Sequence, residues 1–277
     1  MKNVRTDMAE ELRRQHAEDI EGVACENEIL HGMSVFSVHI INDNGAKMIG
    51  KPVGRYYTLR LPKWFDRGSE NFLDTVHTLA ELISRCFPVK HANVLIAALG
   101  NPNISPDALG SLAAESILVT RHLKENDTEK FRSFCSLALC RTGVLGTTGI
   151  ESAAQVSMIC KELHPDLVIV VDALAGAEAE RLCRSVQVSD SGICPGSGVG
   201  NDRKEISFST LGVPVISIGI PTVIDAGFFG GKALDGMFVT PRDIDSLVRA
   251  GGRLIGYAIN IALHHGLNIE DVDALLG

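Results

Sequence analysis

Four aspartates stand at or just beyond the ends of apolar stretches: Asp107 in SPDALG, Asp172 in LVIVVDA, Asp190 in QVSDSG and Asp225 in PTVIDA. A carboxylate at the mouth of a buried apolar strand is partly desolvated, which raises its pKa. Two such carboxylates brought together can share one proton. One then acts as a base toward water while the other donates to a substrate carbonyl, which hydrolyses a peptide without a metal or a nucleophilic side chain. Each residue also has a purely structural reading. Ser105 can cap a helix whose first residue is Pro106, with Asp107 stabilising the positive helix end. Asp172 can be the N-cap of a helix over ALAGAEAERL. One strand-end Asp is ordinary; four together suggest a shared acidic crevice, because ligands of open parallel sheets bind at the carboxyl ends of the strands.

Other constellations carry less. SDSGICPGSGVGN at 189–201 is rich in glycine, but a phosphate loop needs Gly-Lys-Ser/Thr opening a helix, and Arg203-Lys204-Glu205 does not supply it. The stretch reads better as a loop in which glycines allow close backbone approach. Ser197 lies between glycines without the nucleophile-elbow pattern. Cys194 has no evident activating base in reach. His264 and His265 are adjacent on one helix, cannot face one metal together, and suit helix capping. Thr147 and Thr148 shape a helix start, with Glu151 as its capping acid, and the zinc motif HExxH is absent.

The elements that must position these groups follow from periodicity. MSVFSVHIIN and GRYYTLRLP alternate as strands, and SENFLDTVHTLAELISRCF has helical spacing. NVLIAALG and LVIVVDALAG are short continuous apolar runs, as expected of strands buried on both faces. The spacing predicts helices over DALGSLAAESILVTRHL, GIESAAQVSMICKELH and AEAERLCRS, strands over VQVSDSG and VPVISIGIPTVIDA, and a long helix over 241–266. Asp7 followed by Glu10 predicts a capped short helix near the N-terminus. The Gly-rich stretches at 191–200 and 227–236 read as surface loops. Strands alternating with helices imply parallel βαβ units, hence an α/β fold with a mostly parallel sheet flanked by helices and an antiparallel N-terminal extension.

Composition narrows the class. A net charge of −8 argues against a nucleic-acid binder, which needs clustered Lys and Arg. Seven scattered cysteines without a CxxC pair suit a reducing cytoplasm. The polar N-terminus has no signal-peptide core, and no charge-free apolar run is long enough for a membrane span.

Long collinear segments resemble the germination protease family of endospore-forming bacteria, an aspartic-type peptidase family. They are VRTDMAEE at 4–11, GRYYTL at 54–59, LGNPNISPDALG at 99–110, LVTRHL at 118–123, GTTGIES at 146–152, PDLVIVVDALA at 165–175, VQVSDSGICPGSGVGNDRKEIS at 186–207, PVISIGIPTVIDA at 214–226 and MFVTPRDID at 237–245. The resemblance implies an endopeptidase that degrades small acid-soluble spore proteins during germination. It implies a self-processing zymogen, a homotetramer, and action in the forespore or spore core. It implies Asp107 and Asp172 as the catalytic pair. Asn101, in the LGN turn, and Asp190, at its strand end, are the candidate substrate-orienting groups, and no cofactor, nucleic-acid or membrane partner is expected. The resemblance also implies processing between Asp7 and Met8, because Thr6-Asp7-Met8-Ala9 resembles the family's acidic-then-apolar-then-Ala cleavage pattern. Residues 1–7 are then a candidate propeptide and 8–277 a single α/β peptidase domain. The LGN turn followed by an acidic residue also resembles hydrogenase-maturation peptidases, which share a related fold and use nickel; a metal-assisted peptidase is the alternative. The chain departs from the family pattern in a shortened segment between Ala226 and Met237, in a very short leader, and in Cys194 where the pattern has His.

Overall fold

The computed structural model describes residues 5–87, 92–126, 129, 131, 133–201, 203–227, 234 and 236–277. In chain order these form α1 (Ala9–Arg14), β1 (Val23–Leu30), β2 (Met33–Ile40), α2 (Asp43–Ile49), β3 (Gly54–Arg60) and α3 (Phe72–Cys86). Then come β4 (Asn93–Leu99), α4 (Leu109–Ala114), α5 (Arg121–Asn126), β5 (Ser136–Gly143), α6 (Leu145–Thr148) and α7 (Ser152–Leu163). The chain continues through β6 (Leu167–Gly176), β7 (Ser185–Ser189), α8 (Phe208–Leu211), β8 (Val215–Asp225) and β9 (Phe238–Val239). It closes with α9 (Ile244–Leu263) and α10 (Ile269–Leu276). Among the described residues, nine strands make one sheet in the order β1-β2-β3-β7-β8-β6-β4-β5, with β9 beside β8.

The sheet is mixed. Strands β5, β4, β6 and β8 run parallel, as the alternation of strands and helices requires. The wing β1-β2-β3-β7 and the junction of β7 with β8 are antiparallel. Strand β4 and the first half of β6 are continuous apolar runs because both of their faces are covered. In β4, Val94 and Ile96 enter one core while Leu95, Ala97 and Leu99 enter the other. In β6, Leu167, Ile169 and Val171 face the first core while Val168 and Val170 face the second, the period-two alternation of a strand. The first core is closed by α3, α4, α9 and α10, which supply Phe72, Leu79, Ile83, Leu109, Ala113, Leu254, Ile255 and Val272. The second is closed by α7 through Ala153, Val156 and Cys160.

Helix α9 presses its backbone against α4. A Cβ on Gly252 would lie 2.8 Å from the Ala113 nitrogen, so only glycine permits this approach.

The helix expected over 107–123 is interrupted. A 3₁₀ turn, Ser105–Asp107, precedes α4, the helix stops at Ala114, and α5 begins only at Arg121. The buried Asn260 of α9 explains the break. Its Nδ2 donates to the Ser116 carbonyl (2.8 Å) and its Oδ1 accepts from the Leu118 amide (2.9 Å), so both backbone groups are claimed from outside the helix. Thr120 then pairs with β5 through the Leu137 carbonyl and amide. The short helix expected over 177–185 is a single 3₁₀ turn at Ala179–Arg181, because β6 continues through Gly176. The long C-terminal helix starts at Ile244, just past Pro241. Of the glycine-rich stretch 227–236, residues 228–233 and 235 lie outside the described residues.

Replacing Asn260 with Ala strands a buried amide and a buried carbonyl. The expected loss is about 3 kcal/mol of unfolding free energy, read from urea denaturation. A loss below about 1 kcal/mol would show that the α4–α5 break does not depend on this side chain.

Candidate active site

The carboxyl ends of β4, β6 and β8 open into a cavity of about 410 Å³, lined in part by Gly100, Asp107, Asp172, Ala175, Thr222 and Asp7. Asp107 reaches it from the 3₁₀ turn after β4. Gly100 makes that turn possible: its φ is +95°, and a Cβ there would lie 2.0 Å from the Asp107 carbonyl oxygen. The turn is pinned from two sides. Thr222 of β8 donates its hydroxyl to the Pro106 carbonyl (2.7 Å), and the Ser105 hydroxyl donates to Asp245 of α9. Ser105 therefore holds the turn to α9, while the residue preceding the turn is Ile104.

Asp172 sits inside β6, not at the start of a helix, and is 6% exposed. Its Oδ1 accepts from the Ala173 amide (2.9 Å), and among the described residues no cation is in ion-pair distance. Burial lifts its pKa well above the ordinary carboxylate range; the Asp107 charge adds to this, the Ala173 amide opposes it, and the Asp7 charge adds a smaller part. Burial also raises the Asp107 carboxyl, against the stabilising amide of Asn101, which donates to its Oδ2 (2.9 Å). The two carboxylates thus share one cavity and repel each other, so the more buried Asp172 holds the proton first.

The other residues singled out by sequence separate. Asn101 acts through its backbone amide on Asp107, while its side chain accepts from the Asn103 amide within its own loop (3.0 Å). Asp190 is not in the cavity. Strand β7 runs antiparallel to β8, so its carboxyl end lies at the opposite edge of the sheet, where Asp190 accepts from both the amide and Nε of Arg55 (2.7 Å each). Asp225 terminates β8 and accepts from the Gly227 amide (2.8 Å). Of the four expected strand-end carboxylates, Asp107 and Asp172 line the cavity; Asp190 is removed by the reversed direction of β7, and Asp225 is turned onto the Gly227 amide of its own loop. Cys194 donates its thiol to the Arg203 carbonyl (3.1 Å) in the adjoining loop.

Glu151 also lines the cavity, and a further carboxylate comes from the N-terminus. Asp7 does not cap α1, whose N-cap is Met8 without a side-chain bond. Strand β4 pairs with β6 no further than Val171, and beyond it Ala175 exchanges bonds with Asp7. The Asp7 amide donates to the Ala175 carbonyl (2.9 Å), and the Ala175 amide donates to Asp7 Oδ2 (2.9 Å). Gln187 of β7 spans the next peptide units, donating to the Asp7 carbonyl (3.1 Å) and accepting from the Ala9 amide (2.8 Å). Met8 is fully buried, and its amide donates to the Thr6 hydroxyl (3.0 Å), which in turn donates to Glu11. Helix α1 is locked rather than frayed: Glu10 is buried against Arg181, and Glu11 accepts from the Ala177 and Glu178 amides. Gln187 and Thr222 escaped the sequence reading because they are ordinary strand residues there; no spacing marks them.

One buried carboxyl and one half-buried carboxyl face a single cleft at the carboxyl ends of parallel strands in an α/β fold. The chain belongs to the germination protease family, whose model matches residues 2–237. It is 33% identical to the germination protease of Clostridium perfringens over 330 aligned positions, covering all of both chains. Identity to that of Caldanaerobacter subterraneus is 37%, covering 99% of this chain and 98% of the relative, and to that of a Geobacillus species 39%, covering 85% and 67%. A solved NiFe hydrogenase maturation protease, HycI of Thermococcus kodakarensis, aligns with 64% of this chain and 98% of its own at 19% identity and a TM-score of 0.38.

The raised carboxyl of Asp172 sets a pH-dependent stability. A group whose folded pKa lies above its unfolded value adds stability that is complete below the unfolded pKa and lost as pH rises through the folded one. Asp172→Asn removes that loss. The variant should therefore melt at a higher temperature than the parent chain at pH 8, with the difference closing as pH approaches 4. Equal melting temperatures at pH 8 would mean that Asp172 is not held protonated by burial.

Proposed function

We propose that the chain is an aspartic-type endopeptidase whose catalytic pair is Asp107 and Asp172. The observation that supports this most is one cavity holding two carboxyls of unequal burial, both displaced upward. Asp107, the less perturbed, is the base. It takes a proton from water as the oxygen adds to the scissile carbonyl, while Asp172 gives its proton to the carbonyl oxygen. In the second step Asp107 returns its proton to the leaving nitrogen and Asp172 recovers one from the tetrahedral hydroxyl as the C–N bond breaks. The pair ends in its starting state, so one bound proton serves every turnover.

The substrates in this reading are small acid-soluble spore proteins, degraded in the spore core during germination. The working unit is a homotetramer of a single α/β peptidase domain, residues 8–277, without a cofactor and without nucleic-acid or membrane partners. Among the described residues no helix is long and apolar enough to cross a membrane. The alternative is a metal-assisted peptidase. Among the described residues no group of three or more His, Cys, Asp or Glu side chains is arranged to hold a metal ion. Purified protein incubated with a small acid-soluble spore protein decides between them: cleavage that survives a chelator selects the aspartic mechanism. Asp107→Asn and Asp172→Asn should each lower cleavage by about a hundredfold or more while leaving the far-ultraviolet circular dichroism unchanged. Near-normal turnover in either folded variant would sink the dyad.

Residues 1–7 are a propeptide in this reading, removed by cleavage between Asp7 and Met8. The docking of Asp7 in the same cavity as the pair supports it. The Asp7 carbonyl is bonded to Gln187, so processing requires that bond to open first. A shift to mildly acidic pH, which supplies the shared proton, should yield a new N-terminus at Met8 by mass spectrometry, and none in the two Asp→Asn variants. An unchanged terminus in an enzyme that still cuts its substrate would show that the leader is not a propeptide.

A further inference from the structure

Strands β6 and β8 pair residue for residue from Val168 with Val215 to Leu174 with Pro221, and the ladder then resumes at Ala175 with Val223. Thr222 is the extra residue. Such a bulge frees one residue from the ladder and re-aims it, and the missing N–H of Pro221 suits the break. The bulge is held from both sides: the Pro221 carbonyl accepts from the Cys183 amide (2.7 Å), and the Thr222 carbonyl accepts from the Thr240 hydroxyl (2.8 Å). The Thr222 side chain is buried and lines the cavity together with Asp107 and Asp172. Its hydroxyl donates to the Pro106 carbonyl (2.7 Å). The amide of the same peptide unit, that of Asp107, donates to the Ile104 carbonyl (2.8 Å). The peptide plane that ends at the Asp107 Cα is therefore fixed at both of its polar atoms. One of the two anchors comes from the strand that also pairs with Asp172, whose partner in the ladder is Gly219.

We infer that Thr222 is a positioning residue of the acidic pair: through the Pro106 carbonyl it sets where the Asp107 carboxyl stands relative to Asp172. This rests on the reading of the two aspartates as the catalytic pair. Asp172 belongs to β6 and Asp107 to a turn, and a turn by itself has no fixed distance from a neighbouring strand. Strand β8 supplies that distance, because it pairs with β6 and, through one threonine, holds the turn. Loss of the hydroxyl leaves the Pro106 carbonyl in need of water, which enters beside the pair and lets the turn move off β8. Water lowers the desolvation of both carboxyls, and a wider separation lowers their repulsion. Each change makes the pair give up its shared proton at lower pH. A threonine that only filled space would change stability and leave this titration where it is.

The test follows cleavage of a small acid-soluble spore protein by the full-length protein across pH. Thr222→Val keeps the shape and removes the hydroxyl. It should lower kcat by about tenfold or more with KM unchanged, since a misplaced catalytic group weakens the transition state alone. The alkaline limb of its kcat/KM profile, which reports loss of the shared proton from the free enzyme, should move to lower pH. Thr222→Ser, which keeps the hydroxyl, should restore both. Asp7, Glu151, Arg203 and Lys204, the other charged residues lining the cavity, are the same in every variant, so a moved limb reports on the pair. If Thr222→Val does not fold, Thr222→Ala, which also lacks the hydroxyl, carries the same expectation. A folded hydroxyl-free variant with the kcat and the profile of the parent overturns the assignment, and so does a Thr222→Ser chain that restores neither. A second arm needs no turnover. Carbon-13 NMR titration of the aspartate carboxyls in the full-length protein should place the upper of the pair's two steps at lower pH in Thr222→Val than in the parent. An unmoved upper step overturns the positioning role. A moved step in a protein that cleaves no spore protein upholds the positioning of the pair and removes the endopeptidase reading.

Discussion

A carboxyl buried in the middle of an apolar strand, with no cation beside it, is the constraint around which this molecule is arranged. Asp172 follows five buried apolar residues of β6 and is followed by a strand that continues to Gly176. Its ionised form is disfavoured by burial and by Asp107, and the one recorded bond to its side chain, from the Ala173 amide, does not offset that. The fold tolerates the cost because a neutral carboxyl with one accepted hydrogen bond is far cheaper to bury than a charge. The upward displacement of the Asp172 pKa is thus a consequence of packing, and the chemistry proposed for the cavity builds on it.

Around that point the chain invests its least flexible contacts. The turn that carries Asp107 is held by β8 through Thr222 and by α9 through Asp245, so its position relative to β6 is set by two separate elements. Helix α9 in turn reaches α4 only because Gly252 lets the two backbones meet, and Asn260 redirects the chain after α4 toward β5. The hydrogen bonds among these contacts resist shear better than apolar contacts alone, because they are directional.

The N-terminal segment is anchored differently, by charge. Arg181 and Glu10 are both buried and bonded to each other, with Glu178 also on Arg181, while Glu11 accepts two amides at the end of β6. A buried ion pair adds little net stability but is costly to break one partner at a time. Such an anchor ties α1 to the end of β6. Burial raises the Glu11 carboxyl, against the Thr6 hydroxyl and the two amides that stabilise its charge.

Much of this was legible in the residues themselves. The apolar runs 93–100 and 167–176 announced two-faced strands, the helical periods of 69–87 and 241–266 announced α3 and α9, and the placement of Asp107 and Asp172 after apolar runs announced carboxyls at a sheet mouth. Periodicity and local chemistry suffice for such features because they depend on neighbours in sequence. What the chain alone did not determine depends on partners far away in sequence. Strand direction is one: Asp190 ends a strand just as Asp172 lies within one, yet β7 is reversed, and its carboxylate goes to Arg55 at the other edge of the sheet. Helix continuity is another, since 107–123 is helical in pattern but loses two backbone groups to Asn260, more than a hundred and forty residues on. The fate of Asp7 is the third. Its sequence neighbours make it a helix cap, while Ala175, Gln187 and Ser197 draw it into the cavity, because a buried amide and a half-buried hydroxyl together outweigh one exposed capping bond.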